Sequence, residues 1–152
     1  NLTVIENLKY FGGLYGMSQK IIKSRAESIL DLLMLSNKKY ELSKNLSGGM
    51  KKRLNIAIAI IHKPKVLFLD EPTVGIDPLS RAALWGVIEK IKKEGMTILF
   101  CTHYLTEAER LCDRIAVIKE GKILKVDTPY NLKKKYGENI EDAFIKLIKE
   151  EK

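Results

Sequence analysis

Two short apolar runs limit what this chain can fold into. Val66-Leu67-Phe68-Leu69 ends in Asp70-Glu71-Pro72, and Thr97-Ile98-Leu99-Phe100-Cys101 ends in Thr102-His103. Each has the length of a strand and no polar alternation, the pattern of a strand covered on both faces. Between them, Asp77-Pro78 forms a helix start, and Leu84, Ile88 and Ile91 keep helical spacing as far as Gly95. Strand, helix, strand in that order predicts a parallel pair joined by a crossover helix. Both carboxyl ends then open on one edge of the sheet, where open α/β folds hold ligands. Asp70, Glu71 and His103 stand at that edge, with His103 one strand–helix–strand unit, 33 residues, after Asp70.

The segments before and after are of other kinds. Thr3-Val4-Ile5-Glu6 is a capping box that opens a helix with Ile5, Leu8 and Tyr15 on one face, weakened by Gly12-Gly13 and closed by Gly16. Ser18 can cap a second helix running to about Leu35, and Asn37-Lys38-Lys39 reads as a turn. Residues 1–46 are therefore expected to be a helical lobe. From Ser47, the residues Met50, Leu54, Ala57, Ile58 and Ile61 follow helical spacing, with Pro64 just beyond. Thr106 to Glu109 is a second capping box, expected to open a short helix to Leu111. Glu120-Gly121 reads as a hairpin turn between Ile115–Lys119 and Lys122–Val126. Residues 47–127 would form the sheet-bearing part, and 128–152 two short amphipathic helices.

Composition excludes several classes. Over 152 residues, 45% are apolar and 30% charged, enough for one domain with a real core, and no apolar run approaches the ~20 residues of a membrane span. The net charge is +8, but the lysines are dispersed and the aromatics, 7% of the chain, are not interleaved with them. Nucleic acid is therefore not expected as a partner, whereas an anionic membrane surface or nucleotide phosphates would explain the sign of the charge. Cys101 and Cys112 read as reduced, buried thiols, and with two histidines they are too few for a structural metal site.

Three groups can carry chemistry. At Asp70-Glu71, alternation along a strand would turn one carboxylate toward a bound magnesium and the next toward an attacking water, the two roles phosphoryl transfer requires. The bland alternative is two solvated acids at a strand end. Ser47-Gly48-Gly49 opens a helix whose first N–H groups lack intrahelical partners and whose dipole favours an anion, and the glycines let a phosphate approach the backbone. A plain serine cap is the bland alternative. His103 gains meaning only from sharing an edge with Asp70, and His62, beside Lys63 at a helix end, reads as a surface residue.

Taken together these segments resemble the ATP-binding cassette (ABC) ATPase family. Leu46–Met50 is similar to its signature motif, Val66–Glu71 to its Walker B strand, Val74-Gly75-Ile76-Asp77 to its D-loop and His103 to its switch histidine. The Glu-Pro-Thr-Val-Gly-Ile-Asp-Pro run with a Ser-Gly-Gly-Met signature resembles the ABC-2 and multidrug exporter branch. The resemblance implies a P-loop NTPase (RecA-like) α/β core with an N-terminal helical subdomain, and ATP with Mg2+ as cofactors. It implies that Asp70 holds the metal and Glu71 is the general base. His103 would contact the γ-phosphate. Ser47, Gly48 and Gly49 would bind the γ-phosphate of ATP held by an opposite subunit, and Asp77 would report between the two sites. The implied partners are a second nucleotide-binding subunit and a transmembrane permease, on which Leu2 to Asn45 would dock. The implied location is the cytoplasm, peripheral on the inner face of the membrane.

The sequence departs from that pattern in places. Met50 stands where many members have glutamine, and Val74-Gly75 replaces the common Ser-Ala of the D-loop. No G-x-x-x-x-G-K-[ST] loop occurs, and the sole glutamine, Gln19, lies in a helical segment and not after a strand. The expectation is the C-terminal portion of a cassette, lacking Walker A and Q-loop and inactive alone. In the family the Walker A strand lies between the strand ending at His103 and the strand near Ile115–Ile118. Those two strands are expected to close up, or another chain to supply a strand. The alternatives are a soluble ABC-type ATPase acting on nucleic acid or the ribosome, which the short helical lobe disfavours, and one half of a split cassette.

Overall fold

A computed structural model describes residues 1–150; residues 151 and 152, at the end of the expected C-terminal helices, lie outside the described residues. The chain divides into two compact units, Asn1–Leu99 and Phe100–Lys152.

The first unit begins with α1 (Val4–Leu14) and α2 (Gln19–Leu32). The capping box forms at Thr3: its hydroxyl accepts from Glu6 N, while Glu6 accepts from Thr3 N at 2.8 Å. Val4, Ile5, Leu8 and Gly12 make the inward face of α1. Gly12 is required by packing, since a Cβ there would lie 2.9 Å from Ile22 Cγ1 on α2. Tyr15, expected inward, is exposed and stacks on His62 at 3.7 Å. It lies past the last helical turn, so helical spacing no longer sets its direction. Gly16, with φ at +72°, ends the segment as expected. Ser18 caps α2, which stops earlier than expected because Met34 takes a φ of +57°, a left-handed stop without glycine. Leu33 and Leu35 then turn inward and are fully buried.

Next come α3 (Gly48–Ile60), β1 (Val66–Asp70), α4 (Pro78–Lys93) and β2 (Thr97–Cys101). Arg25 ties α2 to the open end of α3, donating to the carbonyls of Ile61 (2.6 Å) and Ile60 (3.0 Å). β1 and β2 form a two-stranded parallel sheet. Leu67 and Leu69 are buried, but Val66 and Phe68 are 43% and 71% exposed, and Leu99 on β2 is 54% exposed. The expected burial of both strand faces is therefore corrected: the face of β1 that carries Leu67 and Leu69 is covered and the opposite face is bare. Cys101 falls on the outward alternation of β2 and is exposed, not buried, and Cys112 is half-buried.

The second unit holds α5 (Leu105–Leu111), β3 (Ile115–Lys119), β4 (Lys122–Asp127), α6 (Pro129–Tyr136) and α7 (Ile140–Glu150). Glu120 and Gly121 both have positive φ, 49° and 76°, the geometry of a two-residue hairpin turn. The hairpin packs Val117 against Leu132, Ile140, Ala143 and Leu147. Its other face carries the cross-strand pairs Ala116–Val126 and Ile118–Ile123, with Ile118 60% and Ile123 64% exposed. Among the described residues β2 and β3 belong to separate sheets, so the expected closing of these two strands on each other does not occur. The fold is a mixed α/β arrangement consistent with an incomplete P-loop NTPase core. No helix among the described residues is long and apolar enough to cross a membrane.

Candidate functional site

Ser47 takes an extended conformation and its Oγ accepts from Met50 N at 3.3 Å, capping α3. Its hydroxyl proton remains available to an acceptor outside the helix. The two glycines that follow differ. Gly48 is exposed, and a Cβ there would lie 4.0 Å from its nearest neighbour, Ile76 Cγ2, so its backbone stays open to an incoming anion. Gly49 is buried, and a Cβ there would lie 2.7 Å from both Cβ and Oγ of Ser80 at the start of α4. Gly49 is thus required by helix–helix approach whatever it binds.

The start of α4 belongs to the same cluster. Asp77 caps the helix by accepting from Ser80 N at 2.9 Å. Hydrogen bonds from the Ser80 side chain and backbone hold its carboxyl below the ordinary aspartate value. Ser80 is therefore the link that brings Asp77 beside the Ser47–Gly49 corner. Sequence reasoning missed it, although the backbone N–H three residues after an N-cap aspartate is a usual donor of such a bond.

Asp70 is the last residue of β1 and its side chain is exposed. Glu71 lies outside the strand, half-buried, with a φ of +46°. The expected alternation of the two carboxylates on one strand is corrected accordingly: a left-handed turn, not the pleat, aims Glu71. Two successive turns lead on, with Val74 N donating to Glu71 O (3.3 Å) and Ile76 N to Thr73 O (3.4 Å), and Gly75 supplies a φ of +77°. They deliver the chain to Asp77 while Pro72, Thr73 and Ile76 are buried.

His103 belongs to the second unit and is exposed, its ring centroid 4.1 Å from that of Tyr104. The loop before α5 differs from expectation. Tyr104, not a capping box at Thr106, precedes the helix, and Glu109 instead pairs with Lys133. Thr102 donates its hydroxyl to Glu107 Oε2 at 3.0 Å and accepts from Tyr104 N at 3.0 Å. Glu107 is fully buried. Its signal in the sequence is an acid on the apolar stripe that Ala108 and Leu111 define.

No cluster of three metal-binding side chains occurs among the described residues. Magnesium commonly takes one or two protein carboxylates and completes its shell with water and phosphate oxygens, and the solvent-facing Asp70 suits that role.

Comparison with known proteins places this geometry. Residues 1–74 match the family model described as ABC transporter. The chain is 37% identical over 157 residues to the linearmycin resistance ATP-binding protein LnrL of Bacillus subtilis, covering 97% of this chain and 50% of that protein. It is 42% identical to the daunorubicin/doxorubicin resistance ATP-binding protein DrrA of Streptomyces peucetius, over 91% of this chain and 42% of that one. A solved structure described as the ATP binding subunit of an ABC transporter superposes with a TM-score of 0.81 at 28% identity, covering 97% of this chain and 63% of the other. The chain spans about half the length of these bacterial relatives. The signature-like corner at α3, the strand ending in Asp70 and these likenesses lead to one assignment: the chain belongs to the ABC transporter family of ATP-binding proteins.

Proposed function

We propose that this chain is part of the ATP-hydrolysing subunit of an ABC exporter, which couples ATP binding and hydrolysis in a dimer of nucleotide-binding subunits to export. The observation that carries the reading is the corner at α3. Ser47 and Gly48 present an uncrowded helix start to solvent while Gly49 and Ser80 lock it against α4. An anion at such an end gains from unpaired N–H groups and from the helix dipole. In this reading Ser47, Gly48 and Gly49 bind the γ-phosphate of ATP held on a second nucleotide-binding subunit. Asp70 holds Mg2+, through water, and Mg2+ supplies charge neutralisation at the phosphates. Glu71 is the general base for the attacking water, His103 contacts the γ-phosphate, and Asp77 reports between sites. The helical lobe docks on a transmembrane permease, which keeps the chain at the inner face of the membrane. Names that speak of resistance and export among the relatives support an exporter.

The residues present supply an anion-accepting corner and carboxylates, but no glycine-rich loop with a lysine for the β- and γ-phosphates. The chain alone is therefore expected to bind ATP weakly and to turn over none. In the natural protein with a complete nucleotide site, Glu71→Gln should lower turnover by on the order of 100-fold or more. Steady magnesium-dependent turnover by this chain alone, abolished by Glu71→Gln, would overturn the proposed inactivity. Undiminished turnover of the Glu71→Gln natural protein would overturn the role of Glu71.

A further inference from the structure

Glu107 has no part in the chemistry above, yet it is a fully buried carboxylate on the inward face of α5. Burying a carboxylate is costly unless it is well bonded, and an apolar side chain would serve the same packing position better. Stability alone therefore does not account for it. Its bonds point elsewhere. Glu107 Oε2 accepts from the Thr102 hydroxyl at 3.0 Å, and Thr102 Oγ accepts from Tyr104 N at 3.0 Å. The Tyr104 carbonyl accepts from Glu107 N at 3.0 Å and Ala108 N at 3.3 Å. The residues on both sides of His103 are thus fastened: Thr102 to the Glu107 carboxylate by its side chain, and Tyr104 to Thr102 through its N–H and to Glu107 N through its carbonyl. The His103 ring lies against Tyr104, the residue so fastened.

We propose that Glu107 is a positioning residue for His103: through Thr102 it holds the loop that presents the imidazole, and so governs turnover and not nucleotide affinity. The inference rests on the reading of His103 given above. It is tested in the natural protein with its nucleotide site complete, by kcat and KM for magnesium-ATP. His103→Ala and Glu107→Ala should each lower kcat by about tenfold or more, since small misplacements of a reacting group have effects of that order. KM should stay within about twofold, the pattern of an interaction made only in the transition state. Glu107→Gln, whose amide oxygen still accepts from Thr102, should recover most of the loss. The double variant should be no slower than His103→Ala, because two residues acting as one unit are not additive. An unchanged kcat in Glu107→Ala beside a slow His103→Ala would overturn the proposal while leaving His103 its role. An unchanged kcat in His103→Ala would instead sink the reading of His103 and the proposal with it. Additive losses would reduce Glu107 to a packing residue, overturning the proposal. Should Glu107→Ala not fold, Thr102→Val cuts the same link with the carboxylate retained and must give the same non-additive loss in kcat.

Discussion

The helical lobe and the two sheets complete their cores to different degrees. In the lobe, Leu8, Ile22, Leu33 and Leu35 are each 0% exposed, whereas Phe68 in β1 is 71% exposed and Ile123 in β4 is 64% exposed. The cause is geometric. A helix satisfies its backbone internally, so α1 and α2, joined by a four-residue link closed at Gly16, can bury an apolar stripe with contiguous sequence alone. A strand needs a neighbour to pair its backbone and a layer over each apolar face, and the covering layers come from more distant sequence. The lobe is finished within the chain, and each sheet is finished on one face only.

That contrast predicts opposite responses to truncation of the same kind. Ile22→Ala should cost roughly 2–5 kcal/mol, because Ile22 is fully buried against Gly12, which has no side chain to fill the cavity. Phe68→Ala should cost no more than about 0.5 kcal/mol, the usual range for a surface change. Urea unfolding of the chain followed by helix signal measures both. A Phe68→Ala loss as large as that of Ile22→Ala would mean that the outer face of β1 is covered in solution, which would break the comparison.

A second pair sharpens it at the site. Gly48 and Gly49 are adjacent in sequence and alike as phosphate-approach residues, but only Gly49 is packed on Ser80. Gly49→Ala should destabilise by roughly 1–3 kcal/mol, the range for overpacking a tight contact. Gly48→Ala should leave the thermal midpoint close to that of the parent. Equal midpoints for the two variants would show that the α3–α4 contact yields freely, and Gly49 would then be free to serve the ligand alone.

What could be read from the sequence follows the same division. Thr3, Ser18, Ser47, Asp77 and the Glu120-Gly121 turn all form as their residue types dictate, because caps and turns are local chemistry. The apolar faces Ile5–Leu8 and Leu84–Ile88–Ile91 were legible from spacing for that reason too. What failed on the sheet was non-local. The apolar run of β1 signals burial on both faces, but nothing in it says whether the covering layer is present, and here Val66 and Phe68 stay bare. Glu71 failed differently: its left-handed φ follows from the turns to Asp77, not from the strand before it. At Thr106 a valid capping box lost to the tighter set of bonds among Thr102, Tyr104 and Glu107. Two local patterns competed there, and the one that satisfies a buried carboxylate prevailed.

The smallest predicted effect is one that the two regions share. Glu6 in the lobe is held below its ordinary value of 4.5, first by the bond from Thr3 N. Asp127 in the second unit is held below its ordinary value of 3.8, first by the Asn131 side chain and then by Thr128 N. In both, the folded carboxyl titrates below the unfolded one. The stabilisation is therefore complete above the ordinary values and is lost as pH falls through the lower, folded ones. Glu6 is exposed and Asp127 is partly exposed, so solvent screens the gain and acid should loosen only the first turns of α1 and α6. Amide signals of Glu6 and Asn131, followed by NMR from neutral pH to below the ordinary carboxyl values, should report that loosening. Glu6→Gln should remove it in the lobe only, and Asp127→Asn in the second unit only. Because caps depend on local bonds and not on a covering layer, the same acid response is expected with the sheet faces bare or covered. A response at Asn131 that vanished once the outer face of β4 was covered would show that the cap and the sheet are coupled, and that the second unit is less local in its stability than the lobe.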